Sequence, residues 1–123
     1  MGVQKENVSW DEIQCYVNAV VQRYQGEKIP GVYGIPRGGL IFAVMISHKM
    51  NIPMLMSAVE GCIIVDDIAD SGETLIHYQN NSSGSRKKKY FITTMYYKES
   101  SLVKPDYYYK VKEDRWIVFP WEE

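Results

Sequence analysis

The segment from Cys62 to Leu75 (CIIVDDIADSGETL) constrains the fold more than any other stretch of the chain. Its first residues, 62–65, are an apolar and mostly β-branched run, typical of a strand that is covered on both faces of a parallel sheet. Asp66 and Asp67 follow directly, and we expect them at the carboxyl end of this strand, where open α/β sheets bind their ligands. Residues 70–74 are suited to a tight turn that opens a helix, whose free N–H groups attract phosphate. The segment therefore predicts carboxylates for ribose hydroxyls close to backbone amides for a phosphate.

This segment resembles the phosphoribosyl pyrophosphate (PRPP) signature of the type I phosphoribosyltransferases. The resemblance lies in the uninterrupted order of an apolar strand, an acid pair, a third acid and a loop of small residues. An Asp-Asp pair alone more often marks a solvated turn, and a Gly-containing helix start alone is a weak signal. The resemblance covers nearly the whole chain. It implies an α/β fold in which a single twisted, mainly parallel sheet is flanked by helices (Rossmann-like), with residues 1–123 forming one domain.

Predicted strands and helices alternate along the rest of the chain. A capping box of Ser9 and Glu12 opens a first helix that ends near Gly26. Further helices are expected over 40–50 and 74–79, and 80–85 is expected to be a loop. Strands are expected over 29–35, 53–58, 62–65, 90–97 and 107–111, with a last extended piece over 116–119. Strands that alternate with crossover helices indicate a parallel sheet.

Composition limits the classes of function. The 123 residues are 46% hydrophobic, enough for one core. A net charge of −1 and a pI near 6.1 predict neither nucleic acid nor an anionic membrane as a partner, and no apolar run is long enough to span a bilayer. We expect Cys15 and Cys62 to be buried thiols, as in a reducing compartment, and therefore expect a cytoplasmic protein.

The turn after the first strand, IPRGG, is the second segment that predicts a site. Its glycines let backbone amides approach an anion, and Arg37 supplies a charged donor. Taken alone, the turn is more simply interpreted as a strand-to-helix connection with an exposed arginine. The family resemblance instead implies that Arg37 and Gly38 bind pyrophosphate.

Two features near the carboxyl terminus predict the acceptor base. Lys98 ends a predicted strand on the ligand side of the sheet, and the closing residues DRWIVFPWEE resemble the tail of short xanthine-guanine and hypoxanthine phosphoribosyltransferases. The resemblance implies that Lys98 donates to the purine 6-oxo group, that Trp116 stacks on the ring and that the backbone of Ile117 contacts the base edge. The alternatives are that Lys98 is simply solvated and that Trp116 and Trp121 pack in the core. We favour core packing for Trp121. These residues do not rank guanine, xanthine and hypoxanthine as substrates.

The resemblance also implies a function and the roles of the site residues. The chain would be a purine salvage transferase that makes a 6-oxopurine nucleoside monophosphate and pyrophosphate from PRPP and a base, assembling as a dimer or tetramer. Its catalytic residues would be Asp66, Asp67 and Asp70, with Mg²⁺ held by the first two and Asp70 as general base for the purine N7 proton. PRPP and its phosphates would be bound by Asp66, Asp67, Ala69, Asp70, Ser71, Gly72, Glu73, Thr74, Arg37 and Gly38.

One departure from the family concerns the connection between the second and third predicted strands. Only Ser57 to Gly61 lie there, where the family has a long flexible loop that closes over PRPP. Such lids exclude water and complete the catalytic arrangement, so we expect slow transfer without one. Either the chain is a naturally lidless, degenerate or regulatory member, or the segment is missing from it. A non-catalytic module that binds PRPP or a nucleotide is therefore the alternative function.

Overall fold

The computed structural model describes residues 4–79 and 89–122, and the predicted loop over 80–85 lies outside them. The strands in these ranges are β1 (Lys5–Asn7), β2 (Val32–Gly34), β3 (Ile63–Ala69), β4 (Phe91–Tyr97), β5 (Tyr107–Val111) and β6 (Trp116–Val118). The α-helices are α1 (Trp10–Arg23) and α2 (Leu40–Met50), and 3₁₀-helices occupy Leu75–Tyr78 and Pro120–Glu122. None of the helices in these ranges is long and apolar enough to cross a membrane.

Four strands form a parallel sheet in the order β2-β3-β4-β5, which confirms the predicted α/β fold. The expectation of a single sheet is wrong, because β6 pairs in parallel with β1 in a separate two-stranded sheet. The sequence did not predict β1. Its pairing with Trp116 to Val118 joins opposite ends of the chain, and three residues are too few for an alternating pattern to be recognised.

Three other predicted elements are shorter than expected, and the strand over 29–35 is reduced to β2. The strand over 53–58 is reduced to a bridge between Met54 and Val32, because β2 itself has only three residues and offers a short edge. Pro53 donates no hydrogen bond, although its carbonyl accepts from the N–H of Val32 at 3.0 Å. The crossover helix over 74–79 is a 3₁₀-helix of four residues.

The first helix agrees with its predicted start. Ser9 Oγ accepts from the N–H of Glu12 at 3.2 Å, and the Glu12 carboxylate accepts from the N–H of Ser9 at 3.5 Å, which completes the capping box. Gly26 follows the helix with a φ of 88°, a conformation that favours glycine. Cys15 is exposed, which corrects the expectation of a buried thiol. It lies between the core-facing residues Ile13 and Tyr16, on the outer side of α1.

Hydrophobic packing covers both faces of the main sheet, as predicted for β3. Ile63 and Val65 face the core that α1 and α2 share, whereas Ile64 faces a second cluster that contains Cys62 and Leu75. These strand residues are fully buried. Burial on both faces makes β3 a rigid support for the polar residues that continue it.

Candidate active site

The acid pair lies within β3, whereas the sequence had predicted that the strand ends at Val65, just before the pair. Pairing with β2 stops at Gly34 and Val65, whereas pairing with β4 continues to Ala69 and Tyr97. Asp66 and Asp67 therefore extend past the end of one neighbouring strand while they remain hydrogen-bonded to the other. The apolar pattern ends at Val65, so sequence alone placed the strand end too early. The half-buried carboxylates lie beside the turn that follows β2.

That turn, residues 35–39, packs tightly against β3. Its peptide bond between Pro36 and Arg37 is cis. A Cβ added at Gly38 would lie 2.4 Å from Cγ of Asp67, and one added at Gly39 would lie 2.2 Å from the carbonyl oxygen of Val65. A side chain at Gly38 would displace the carboxylate of Asp67, and one at Gly39 would displace the backbone of β3 or of the turn itself. The structure thus brings together the two segments that the sequence singled out.

A cleft of about 690 Å³ opens beside this contact. Its lining residues come from the turn, from β3 and α2, and from the carboxyl-terminal segment; they are Arg37, Gly38, Leu40, Ile41, Asp67, Trp121 and Glu122. Trp121 packs as predicted on the core, its ring 5.1 Å from that of Phe119. Sequence reasoning did not assign Trp121 or Glu122 to a site, because nothing local shows that the end of the chain returns to the turn after β2.

Each carboxylate of the acid pair accepts a hydrogen bond from the next residue. The N–H of Asp67 donates to Oδ1 of Asp66, and the N–H of Ile68 donates to Oδ1 of Asp67, both at 2.8 Å. Burial, together with the neighbouring charge of Asp67, raises the pKa of Asp66 to about 8. A cation held by the pair would relieve this repulsion. Oxygen-donating carboxylates of this kind suit Mg²⁺.

No group of three His, Cys, Asp or Glu side chains with metal-binding geometry occurs within residues 4–79 and 89–122. A magnesium ion at the pair would thus take Asp66 and Asp67, directly or through water. Its remaining ligands would come from a bound phosphate compound and from water, as is usual for Mg²⁺.

The turn after β3 presents backbone amides around a cavity of about 170 Å³. Gly72 adopts a φ of 84°, and a Cβ there would lie 2.6 Å from Oγ of Ser101. Within the described part of the chain, no hydrogen bond engages the N–H groups of Ser71, Gly72 or Thr74. The following helix is one short 3₁₀ turn, so its dipole adds little, and an anion bound here would take its hydrogen bonds from the amides themselves.

The last aligned residues of the three neighbouring strands form one row, in which Ala69 pairs with Tyr97 and Tyr97 with Val111. The residues that follow each of them are Asp70, Lys98 and Lys112. Nζ of Lys98 lies 3.8 Å from Oδ1 of Asp70, and Nζ of Lys112 lies 4.0 Å from Oδ2 of Asp70. We call these three residues the strand-end triad. The structure brings the predicted residues Asp70 and Lys98 together.

Sequence reasoning missed Lys112. The signal that identifies it is its position at the carboxyl end of a predicted strand, the same signal that identified Lys98. The alignment of β5 with β4 was needed to show that the two lysines are equivalent, since register between strands is not a local property.

The two other predicted base contacts lie on β6. Trp116 is 65% exposed, and no hydrogen bond, ion pair or ring contact within the described ranges joins it to the strand-end triad. The side chain of Ile117 is buried in the core, so only its backbone is available to a ligand. Purine stacking on Trp116 and a base-edge contact at Ile117 stay predictions.

Comparison with known proteins agrees with this geometry, although no family model matches the chain. Xanthine-guanine phosphoribosyltransferase of Chromohalobacter salexigens is 26% identical, over 97% of this chain and 85% of that protein. The enzyme of the same name from Cereibacter sphaeroides is 29% identical, over 94% of this chain and 86% of that protein. These alignments extend over 141 and 147 positions, more than the 123 residues of this chain, so the relatives contain residues that it lacks.

Solved structures show the same architecture. Purine phosphoribosyltransferase from Pyrococcus horikoshii matches with a TM-score of 0.80 at 28% identity, covering 97% of this chain and 95% of that one. Xanthine-guanine-hypoxanthine phosphoribosyltransferase from Helicobacter pylori matches with a TM-score of 0.72 at 19% identity, covering 97% and 94%, a likeness that concerns the fold alone. The fold is thus that of the type I phosphoribosyltransferases. In sequence, the chain is similar to their purine enzymes.

Proposed function

We propose that the protein is a purine salvage phosphoribosyltransferase, which makes a 6-oxopurine nucleoside monophosphate and pyrophosphate from PRPP and guanine, xanthine or hypoxanthine. One observation carries the proposal: separate segments of the chain meet at one edge of the sheet with the groups that this reaction needs. Gly38 lies against Asp67, and Lys98 lies beside Asp70. The relatives named xanthine-guanine phosphoribosyltransferase support the same activity.

PRPP would extend along this edge. Its 5′-phosphate would accept hydrogen bonds from the amides of residues 71–74, with Ala69 and Asp70 beside it. Its ribose hydroxyls would face Asp66 and Asp67. Its pyrophosphate would lie over the turn that contains Arg37 and Gly38, where the guanidinium is a charged donor. The cleft beside this turn leaves room for that group.

Mg²⁺ is proposed as the cofactor, because Asp66 and Asp67 are paired oxygen donors whose mutual repulsion a cation would relieve. When bound, Mg²⁺ would supply positive charge that neutralises the leaving pyrophosphate. The carboxylates themselves orient the ribose and favour the positive charge that its ring gains in the transition state. The hydrogen bonds from the N–H groups of Asp67 and Ile68 hold them in place.

The base would enter between the strand-end triad and β6. Lys98 would donate to the 6-oxo group, whose oxygen gains negative charge, while Trp116 stacks on the ring and the backbone of Ile117 contacts its edge. As the bond between N9 and C1′ forms, the bond from C1′ to the pyrophosphate oxygen breaks. The N7 proton of the base passes to the carboxylate of Asp70 and then to solvent.

A second candidate function is a non-catalytic module that binds PRPP or a nucleotide. It is favoured by the short connection before β3, which closes as a turn with the N–H of Cys62 donating to the carbonyl of Val59 at 3.1 Å. Gly61 in this turn has a φ of 83°. No long segment between Ala58 and Cys62 is available to cover PRPP and exclude water.

The proposal also treats residues 1–123 as one domain of a cytoplasmic protein that assembles as a dimer or tetramer. Sedimentation at several concentrations measures the assembly. A monomer at all concentrations would contradict that part of the proposal alone.

The activity is tested by incubating the protein with PRPP, Mg²⁺ and each of the three bases, and measuring nucleotide and pyrophosphate together. We expect equal amounts of both products from at least one base. Calorimetry then compares the wild type with the double variant Asp66→Asn, Asp67→Asn, using the exposed Asp114→Asn as a matched control. Unchanged Mg²⁺-dependent PRPP affinity in the double variant would show that the acid pair is wrongly assigned. PRPP binding without any product would favour the non-catalytic module.

A further inference from the structure

We propose that the protein also hydrolyses PRPP to ribose 5-phosphate and pyrophosphate, with water in place of the purine base as the acceptor. The inference rests on the proposed function, since it uses the same PRPP site. It goes beyond that function by adding a second reaction, one that needs no base.

The connection before β3 stays at the amino end of the main sheet. Met54 forms a bridge with Val32, the first residue of β2, and Ile63, the first residue of β3, pairs with the same Val32. The chain therefore leaves and rejoins the sheet at one level. The turn between these points is held there, because the N–H of Gly61 donates to the carbonyl of Lys89 at 2.6 Å, just before β4. This connection thus lies at the end of the sheet opposite the acid pair.

The carboxyl end of the sheet, where PRPP would bind, is open to water. The side chain of Asp70 is 56% exposed, and Ser71 and Thr74 in the turn that follows are exposed as well. On the other side of the acid pair, Arg37 and Leu40 are exposed where they line the cleft. Active sites that close around a substrate prevent hydrolysis because they expel water. A site with this exposure leaves water in contact with the reacting carbon of PRPP.

The groups that activate PRPP act on PRPP itself and not on the base. Asp66 and Asp67 would favour the positive charge that the ribose ring gains, and Arg37 is a charged donor for the departing pyrophosphate. These interactions are complete once PRPP is bound, whether or not a base is present. Water is present at a far higher concentration than any base, so water is the acceptor that competes.

Asp70 is placed to take the proton that water loses. The oxygen of water forms a bond to C1′ while the bond from C1′ to the pyrophosphate oxygen breaks, and one proton of the water passes to the carboxylate of Asp70 and then to solvent. The 5′-phosphate would lie beside this carboxylate. The ammonium groups of Lys98 and Lys112, at 3.8 and 4.0 Å from the Asp70 oxygens, reduce the repulsion between the two anions.

The test incubates the protein with PRPP and Mg²⁺, without a base, in water labelled with ¹⁸O. We expect ribose 5-phosphate and pyrophosphate in equal amounts, formed at least about a hundredfold faster than without protein, the lower end of the range for a positioned base. The pyrophosphate should contain no ¹⁸O, because the bond that breaks is the one to C1′. Asp70→Asn should lose most of this rate, whereas the exposed Asp114→Asn is the matched control and should keep it.

A saturating concentration of base should suppress the hydrolysis, because the base occupies the place of the water. Pyrophosphate and nucleotide should then form in equal amounts. With less base, pyrophosphate should exceed nucleotide.

Calorimetry on the same preparations measures PRPP binding, and thermal unfolding shows whether Asp70→Asn is folded. Bound PRPP that releases pyrophosphate no faster than the protein-free solution overturns the inference and leaves the transfer to a base intact. Equal release by the wild type and by folded Asp70→Asn, or ¹⁸O in the pyrophosphate, also overturns it. Hydrolysis without any nucleotide in the presence of base would support the inference but contradict the proposed transfer, and a failure to bind PRPP would overturn both.

Discussion

Gly38 lies directly against the carboxylate of Asp67, so closely that a Cβ at position 38 would be 2.4 Å from Cγ of the aspartate. The two residues come from different elements, the turn after β2 and the middle of β3. Their contact joins the predicted pyrophosphate turn to the predicted magnesium ligands. The site therefore depends on backbone packing as much as on charged side chains.

Replacement of Gly38 by alanine should weaken Mg²⁺-dependent PRPP binding at least tenfold, because the new methyl group displaces Asp67. Overpacking of this kind should also lower the free energy of unfolding by about 1–3 kcal/mol. Calorimetry and denaturant unfolding measure the two effects. The control is Gly26→Ala, whose Cβ meets no atom within 4 Å although its φ of 88° is unfavourable for alanine. It should lose stability but retain PRPP affinity; wild-type binding by Gly38→Ala would contradict the assignment of this contact.

The raised pKa of Asp66 predicts how stability depends on pH in the absence of Mg²⁺ and PRPP. Its pKa is raised from the ordinary value of 3.8 to about 8, so the folded protein favours the protonated carboxyl. This contribution to stability is complete below about pH 4 and is lost as the pH rises through about 8. Asp66→Asn imitates the protonated form, so it should raise Tm most at pH 9 and progressively less towards pH 4.

Thermal unfolding of the wild type and of Asp66→Asn at a series of pH values checks this prediction. The exposed variant Asp114→Asn should shift Tm by a similar, small amount at every pH. A Tm difference between wild type and Asp66→Asn that does not vary with pH would show that Asp66 is ionised throughout.

Replacement of Lys98 by alanine should weaken binding of a 6-oxopurine nucleotide by about 1.5–3 kcal/mol, the range for a hydrogen bond to a charged group. Calorimetry with inosine or guanosine monophosphate measures the loss. Lys104→Ala is a suitable control, because this lysine is exposed but lies outside the proposed site. Its Nζ is 6.0 Å from the centroid of the Tyr108 ring. Equal affinity of Lys98→Ala and wild type would exclude the base contact. Pyrimidine nucleotides that bind better than purine nucleotides would count against the purine class itself.

The short connection before β3 predicts that the protein binds PRPP with ordinary affinity but turns it over slowly. The acid pair, the turn over 70–74 and Arg37 are present, so we expect ground-state affinity for PRPP to be retained, whereas exclusion of water acts mainly on the transition state and hence on kcat. Insertion of a loop of the family's length after Ala58 should raise kcat and leave PRPP affinity nearly unchanged. A kcat of the unmodified chain that already reaches about 10 s⁻¹, the median for enzymes, would show that another element closes the site.

The features that sequence predicted correctly depend on neighbours along the chain. The capping box of Ser9 and Glu12 and the burial of 63–65 on both faces of a parallel sheet follow from local spacing and side-chain type. The features that it mispredicted depend on distant partners. Cys15 is exposed because of how α1 is rotated on the sheet, and the strand expected over 53–58 has little partner strand to pair with.

The sequence by itself predicted the parallel α/β fold, and it singled out the acid pair, the turn over 70–74 and Lys98 as candidate site residues. Each belongs to a continuous segment whose pattern can be recognised without its surroundings. Only the tertiary structure decided that Gly38 lies against Asp67 and that Asp70, Lys98 and Lys112 share one row. The physical reason is register. Hydrogen bonding and side-chain packing between strands that are far apart in sequence set the alignment of their ends, and that alignment places the charged groups beside one another.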